Sequence, residues 1–222
     1  MDGNGRWAEQ RGLPRVAGHR AGAEAMRKVL RAAGERGVEV LTVYAFSSEN
    51  WRRSDAEIAD LTMLMRYYLE RELATFVKEG VRLKIIGDIS AFGEDLASRL
   101  QRSVERTAAN RRITLVVALN YGARSEIVGA ARRLAERAVA EGLDLADLGD
   151  EDFEAELQTA GLPQLDLLIR TSGEVRLSNF LLWQAAYAEL LFSDVLWPDF
   201  DGNAFDEAID QYGARQRRFG GR

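Results

Sequence analysis

Six consecutive residues, Asp2-Gly3-Asn4-Gly5-Arg6-Trp7, combine a carboxylate, two glycines and a guanidinium. That set suits a phosphate. Gly3 and Gly5 permit positive φ and close backbone approach, so successive N–H groups can converge on an anion, while Arg6 adds charge and Asp2 can hold a divalent cation. A second polar set is Ser47-Ser48-Glu49-Asn50-Trp51-Arg52-Arg53. Taken alone it reads equally as a helix-entry turn, with Ser54 capping the next helix and Trp51 stapling the fold. A third runs from Arg170 through Thr171, Ser172, Gly173, Glu174, Val175, Arg176, Leu177 and Ser178 to Asn179 and Phe180. Its two arginines can surround a diphosphate by fork geometry and its serine by hydroxyl donation.

These sets must be positioned by the elements between them. Helical character from His19 to Arg36, stopped by Gly37, precedes an apolar strand from Val38 to Phe46. Ser54-Asp55-Ala56-Glu57 opens a long helix reaching about Lys78, followed by a strand from Val81 to Ile86. The pattern repeats with a helix from about Phe92 to Asn110, a strand from Ile113 to Leu119, a helix from about Ser125 to Ala140 and a short strand from Leu165 to Ile169. Apolar strands separated by helices predict a mostly parallel central sheet, flanked by helices in a single α/β domain. Ligands of such sheets sit beyond the carboxyl ends of the strands. The segments after Phe46, Leu119 and Ile169 are the places to look, and Asn120-Tyr121-Gly122 reads as a structural turn.

Composition narrows the classes. The 222 residues are 46% hydrophobic, enough for one core, and the net charge of −5 supplies no global attraction to nucleic acid or an anionic membrane. Positive charge is nearly all arginine, with lysine only at Lys28, Lys78 and Lys84. There is no cysteine, which removes thiol chemistry and disulfides. No apolar run approaches the roughly 18 residues of a membrane span and no signal-peptide pattern is present, so a cytoplasmic protein is expected.

Other motifs carry less. Gly3-Asn4-Gly5-Arg6-Trp7-Ala8 matches a dinucleotide fingerprint but lacks the preceding strand that the fingerprint requires. Asp144, Asp147, Asp150, Glu151 and Asp152 match no calcium loop and read as a solvated helix entrance in an irregular zone from Gly142 to Asp152. His19, the only histidine, reads by itself as a buried hydrogen-bonding residue near a helix start. The long helix carries Leu61, Met63, Leu64, Met65, Tyr67, Tyr68, Leu69, Leu73 and Phe76, more apolar surface than one core-facing stripe needs. Burial, a dimer contact or a lipid-chain tunnel are the three uses for it.

Taken in order, Asp2 to Ala8, Tyr44 to Trp51, Ile169 to Gly173 and Arg176 to Gln184 resemble the successive signatures of the cis-prenyltransferases, nearest to the bacterial undecaprenyl diphosphate synthases. Tyr187-Ala188-Glu189-Leu190 and Trp197-Pro198-Asp199-Phe200 complete the resemblance, which extends to about Gly221. It implies condensation of isopentenyl diphosphate with an allylic diphosphate such as farnesyl diphosphate, forming cis double bonds and a long-chain polyprenyl product for cell-wall lipid carriers. It also implies Mg²⁺, an elongated hydrophobic tunnel, a homodimer and transient contact with the inner membrane face.

Carried over residue by residue, the resemblance assigns the allylic diphosphate to Gly3, Asn4, Gly5, Arg6 and Trp7 with Arg15 and His19. Isopentenyl diphosphate falls to Arg170, Arg176, Leu177 and Ser178. Ser47, Ser48, Glu49, Asn50, Trp51 and Arg53 line the region between the substrates. Asp2 and Glu189 are the implied metal contacts, and Asp2 and Asn50 the implied catalytic residues. A neutral amide is too weak a base to take a proton outright, so Asn50 is read as orienting a water or the departing diphosphate, the latter being the final base. Ala45 and Ile113, at positions resembling the tunnel, leave room for a long product.

The chain departs from the pattern in three places. The family has a central strand before the aspartate that is not present here, which predicts Asp2 on a frayed end. Val175 stands where many relatives carry histidine or glutamine, and Ser172 replaces a common glycine. Two other readings fit the same residues: a catalytically silent subunit of the same fold, or a phosphate-handling α/β hydrolase without a tunnel.

Overall fold

Residues 1–215 are described by the structure, a computed structural model; the side chain of Leu69 and the end of the resemblance, residues 216–222, lie outside the described residues. In chain order the elements are α1 (Asn4–Gln10), α2 (Arg15–Glu35), β1 (Val40–Ser47), α3 (Asp55–Glu79), β2 (Val81–Ile86), α4 (Glu94–Thr107), β3 (Ile113–Tyr121), α5 (Ala123–Glu141), α6 (Asp150–Glu154), β4 (Leu167–Arg170), β5 (Glu189–Phe192) and α7 (Gly202–Gly213). Every predicted helix and strand is present. Two helices at the ends of the chain and the strand β5 were not foreseen, because each is too short or too polar to show a period.

Boundaries follow local chemistry. Pro14, with φ −64°, starts α2 at Arg15, a turn earlier than His19. The Ser54 hydroxyl accepts from the Glu57 amide at 3.4 Å to open α3, and Gly80 closes it at φ 72°. Phe92 belongs to a 3₁₀ turn, Ile89–Phe92, capped by Asp88, so α4 begins only at Glu94. Asn120 and Tyr121, expected in a turn, continue β3 instead. The acidic stretch does form helix entrances: Asp144 caps a 3₁₀ turn and Asp150 starts α6.

All strand pairing is parallel, as the apolar runs require. β3 lies between β1 and β2, with Val117 opposite both Val43 and Ile85, and β4 pairs separately with β5. The single predicted sheet is therefore divided in two, with an opening between β1 and β4. On one face α2 and α7 bury Ala25, Val29, Ala33, Phe205 and Ala208 against Leu83 and Leu115. Val116, Ala118, Tyr121 and Ala123 pack with Leu181 on the other. A third cluster joins Phe46, Phe92, Leu96, Leu100 and Leu119 near the carboxyl ends of β1 and β3.

The surplus apolar surface of α3 is not gathered into one wall. Leu64 and Phe76 are buried, Met63 and Tyr67 are exposed, and among the described side chains of this set only Leu61 borders the large cavity beside β1. Ala45 borders that cavity, whereas Ile113 is buried in the core. Among the described residues no helix is long and apolar enough to cross a membrane.

Candidate functional site

Asp2 lies just past the carboxyl end of β4, and its backbone is fastened there on three bonds. Its N–H donates to the Thr171 hydroxyl at 3.2 Å, and its carbonyl accepts from that hydroxyl at 3.0 Å and from the Trp197 N–H at 2.9 Å. The expectation of a frayed Asp2 is corrected by these contacts. Gly3, at φ 104°, turns the chain into α1, and a side chain there would meet the Ser172 hydroxyl at 2.6 Å. The first-turn N–H groups of this helix have no carbonyl within it to bond.

Two glycines on α2 bring α1 into place. A Cβ at Gly18 would sit 2.0 Å from the Asn4 carbonyl oxygen, and one at Gly22 would sit 2.4 Å from the Asn4 side-chain oxygen. Their spacing of four puts both on one helix face. That spacing was the signal in the sequence, and Gly18, Gly22 and Thr171 are the positioning residues that a motif reading passes over. The buried Trp197 indole, donating to the Gly22 carbonyl at 2.8 Å, fixes the same corner.

Arg170 joins the first and third polar sets. Its guanidinium donates to the Asp2 carboxylate at 3.0 Å, to the Ser178 hydroxyl at 2.7 Å and to the Arg176 carbonyl. Arg6 donates to the Ser172 carbonyl and to Glu174, both at 3.1 Å. The other Glu174 oxygen accepts from Arg176, so one carboxylate bridges arginines from both sets. Ser172, Ser178, Asn179 and Leu181 all have positive φ, between 44° and 76°. Such clustering of strained residues marks a backbone over-determined by its surroundings. Ser172, at φ 76° with its hydroxyl buried and without a partner, occupies a conformation that glycine takes freely.

The second set closes the same edge. Asn50 Oδ1 accepts from the Ser47 N–H at 3.0 Å, which leaves its NH₂ as the free end. Burial pushes the Glu49 carboxyl up, but hydrogen bonds from Asn179, its own backbone, Ser47 and Ser48 outweigh it and hold Glu49 below its ordinary value. Asn179 donates to Glu49 at 2.9 Å and also accepts from the Arg124 N–H, tying the β1 and β4 loops to the start of α5. Gly122 is required there, because a Cβ would meet Asn179 and Ser48 within 2.8 Å. Trp51 donates to Asn120 at 2.8 Å and packs on Phe46 and Phe92, so it does staple the turn.

His19, Arg15 and Arg53 surround Glu57. Arg53 donates to it at 2.7 Å and Arg15 at 3.3 Å, while the buried His19 Nε2 stands 3.9 Å away with no hydrogen-bond partner. This differs from the hydrogen-bonded histidine that was expected. Burial first, then the Arg53 charge, lower the His19 pKa against the pull of Glu57. His19, Arg15 and Glu57 border a small cavity of about 270 Å³ with Ser54 and Asp60.

Two expected site residues, Trp7 and Glu189, stand apart. The Trp7 indole donates to Asp199 at 2.7 Å and is covered by Arg11 at 4.2 Å, which braces α1 against the chain after β5. Val175 is exposed. Glu189 begins β5 opposite Leu167 and pairs with Arg215 at 2.7 Å, whereas Asp2 lies beyond the other end of those strands. The two implied metal contacts are thus not brought together within the chain. Among the described residues no three His, Cys, Asp or Glu converge on one point. Asp2 does retain one carboxylate oxygen without a hydrogen bond, 3.8 Å from Arg6. That suits Mg²⁺, which is commonly held by one or two carboxylates and the substrate's own phosphates.

Comparison with known proteins supplies the context of this edge. Residues 1–220 match the family model described as putative undecaprenyl diphosphate synthase. Over 221 residues the chain is 54% identical to an isoprenyl transferase of Zymomonas mobilis, covering all of this chain and 89% of that protein. An isoprenyl transferase of Agrobacterium fabrum is likewise 54% identical, with 99% and 89% covered. Among solved structures, lavandulyl diphosphate synthase from Lavandula x intermedia, in complex with dimethylallyl diphosphate, superposes with a TM-score of 0.94 at 32% identity over 99% of this chain and 95% of that one. A probable undecaprenyl diphosphate synthase from Campylobacter jejuni gives 0.78 at 35% identity over 90% and 92%.

Proposed function

This chain belongs to the undecaprenyl diphosphate synthase family of prenyltransferases, and on that premise we propose that it condenses isopentenyl diphosphate with an allylic diphosphate such as farnesyl diphosphate. The observation that carries the reading is Arg170, bonded at once to Asp2 and Ser178. It supports the reading because the two polar sets lie within one side chain's reach, as a reaction between two diphosphate esters demands.

The allylic diphosphate is held by Gly3 to Arg6 with Arg15 and His19. Its departure breaks the bond between C1 and oxygen, and the charge developing on that oxygen is met by the first-turn N–H groups of α1 and by Arg6. Isopentenyl diphosphate is held by Arg170, Arg176 and Ser178 with its C4 toward the allylic C1. The new carbon–carbon bond forms between them, and the proton lost from C2 passes to the departing diphosphate. Asn50 supports that transfer by donating through its NH₂, since its oxygen is occupied by Ser47. Asp2 would hold Mg²⁺, which when bound would supply charge neutralisation of the diphosphates. Glu189, held by Arg215, is left out of that site.

We further propose a cytoplasmic homodimer whose product, the long-chain precursor of a cell-wall lipid carrier, brings it transiently to the inner membrane face. Incubation with Mg²⁺, farnesyl diphosphate and labelled isopentenyl diphosphate tests the reaction, with chain length read by chromatography. Label in an extended prenyl diphosphate is the expected result. No elongation overturns the reading in favour of a silent subunit, and phosphate release without elongation favours a hydrolase.

A further inference from the structure

Arg6 and Arg176 come from different polar sets and share one counter-ion. Glu174 Oε1 accepts from Arg6 Nη2 at 3.1 Å, and Glu174 Oε2 accepts from Arg176 Nη1. Both carboxylate oxygens are thus engaged, one on each guanidinium. A carboxylate offers arginine the same kind of acceptor oxygens as a phosphate, with less charge. On each arginine the Glu174 side chain therefore takes a position suited to a diphosphate oxygen.

The surroundings let this carboxylate leave while the arginines stay. The N–H groups of Ser172 and Gly173 donate to the Val195 and Ser193 carbonyls, both at 2.9 Å, so the backbone leading to Glu174 is fixed and a turn of the side chain suffices. Arg6 Nη1 donates separately to the Ser172 carbonyl at 3.1 Å, which keeps this guanidinium in place when Nη2 is released. The Arg176 carbonyl accepts from Arg170, which also bonds Ser178 and so fixes the backbone that carries Arg176. The Glu174 side chain is 25% exposed, against 45% for Arg6 and 60% for Arg176, so solvent borders the bridge and can receive the carboxylate.

We propose that Glu174 couples the two diphosphate sites: the first diphosphate to bind displaces it from both arginines, and the second then binds more tightly. This rests on the assignment of Arg6 to the allylic diphosphate and Arg176 to isopentenyl diphosphate. The two oxygens are rigidly joined, so a carboxylate that turns away from one arginine loses its geometry on the other. A diphosphate on either arginine also repels the carboxylate from the site as a whole. The cost of displacement falls on the first ligand alone, which makes it a coupling free energy that acts equally in both directions. Partly exposed ion pairs are weak, so the coupling belongs at the low end of the usual range, about fivefold.

Calorimetric titration tests it, with Mg²⁺ present throughout and farnesyl thiodiphosphate, whose sulfur on C1 suppresses ionisation, as the unreactive allylic ligand. The parent is expected to bind isopentenyl diphosphate about fivefold more tightly when saturated with the analogue, and the reverse titration to give the same factor. Glu174→Gln leaves one acceptor oxygen and no charge, and Glu174→Ala leaves neither. In both variants the factor is expected to fall below about twofold, while each ligand alone binds at least as tightly as it does to the parent. A residue that merely contacts ligand or supports the loop would weaken single-ligand binding instead. A parent factor of one, an unchanged factor in the variants, or weaker binding of either ligand alone overturns the proposal. A parent that binds neither ligand overturns the reading of the site and this proposal with it, whereas single-ligand binding without coupling leaves that reading standing.

Discussion

Arg170 and Asp2 meet across 3.0 Å, and the same guanidinium reaches Ser178 at 2.7 Å, so the residue ending β4 holds the Asp2 carboxylate in register with the loop that follows. A lysine has the charge but not the planar fork. Arg170→Lys is expected to lower kcat/KM for isopentenyl diphosphate about tenfold or more, with thermal stability little changed. An unchanged kcat/KM would remove Arg170 from the substrate site.

Asp2→Ala is expected to lower turnover by about 100-fold or more while circular dichroism and Tm stay close to the parent. Its backbone bonds to Thr171 and Trp197 do not involve the side chain, so the fold has no reason to fail. Near-normal turnover would refute the metal role given to Asp2.

Ser172→Gly is expected to stabilise the protein by about 1 kcal/mol, a rise of roughly 2–4 °C in Tm. The substitution releases a left-handed residue and removes a buried hydroxyl without a partner, against glycine's greater unfolded-state entropy. Urea unfolding measures it, and a destabilised variant would contradict the strain argument.

The two α2 glycines should differ in their response. Gly18→Ala drives a methyl into the Asn4 backbone and is expected to cost about 2–3 kcal/mol, whereas Gly22→Ala meets a side-chain oxygen that can turn away and costs about 1 kcal/mol. Loss of activity should follow the same order, since α1 carries the Asp2 loop. Equal effects would show that α1 is not seated by this close approach.

His19 makes stability depend on pH. Its pKa is lowered in the fold, so the unfolded chain binds the proton more readily and stability rises with pH through that range. It is lost as pH falls below the ordinary histidine value of about 6.5 and levels off below the folded one. His19→Asn is expected to flatten the Tm profile between about pH 7.5 and 5 relative to the parent. A profile of unchanged slope would exclude His19 as its source.

The residues of the candidate site were legible because their types are unusual together: arginines and hydroxyls after the apolar runs ending at Phe46 and Ile169, and a glycine-rich turn with a carboxylate and an arginine at Asp2 to Arg6. Their partners were not. Thr171 is an ordinary residue until its hydroxyl brackets the Asp2 backbone, and Glu174 is one acid among many until it bridges Arg6 and Arg176. Trp7 and Glu189 looked like substrate and metal contacts, yet Asp199 and Arg215 hold them, pairings separated by 192 and 26 residues that no local pattern records.

By itself the sequence determined the alternation of helices and strands, the parallel sense of the pairing and the three polar segments, two of them at strand ends. These depend on hydrophobic period, caps and turn residues, all of which act over a few neighbours. Only the tertiary structure decided which polar segments meet, that Asp2 is fastened, that Gly18 and Gly22 admit α1, and that the sheet is parted between β1 and β4. Those outcomes depend on which edges and faces come together across the chain, and close contact between distant segments is set by packing in three dimensions.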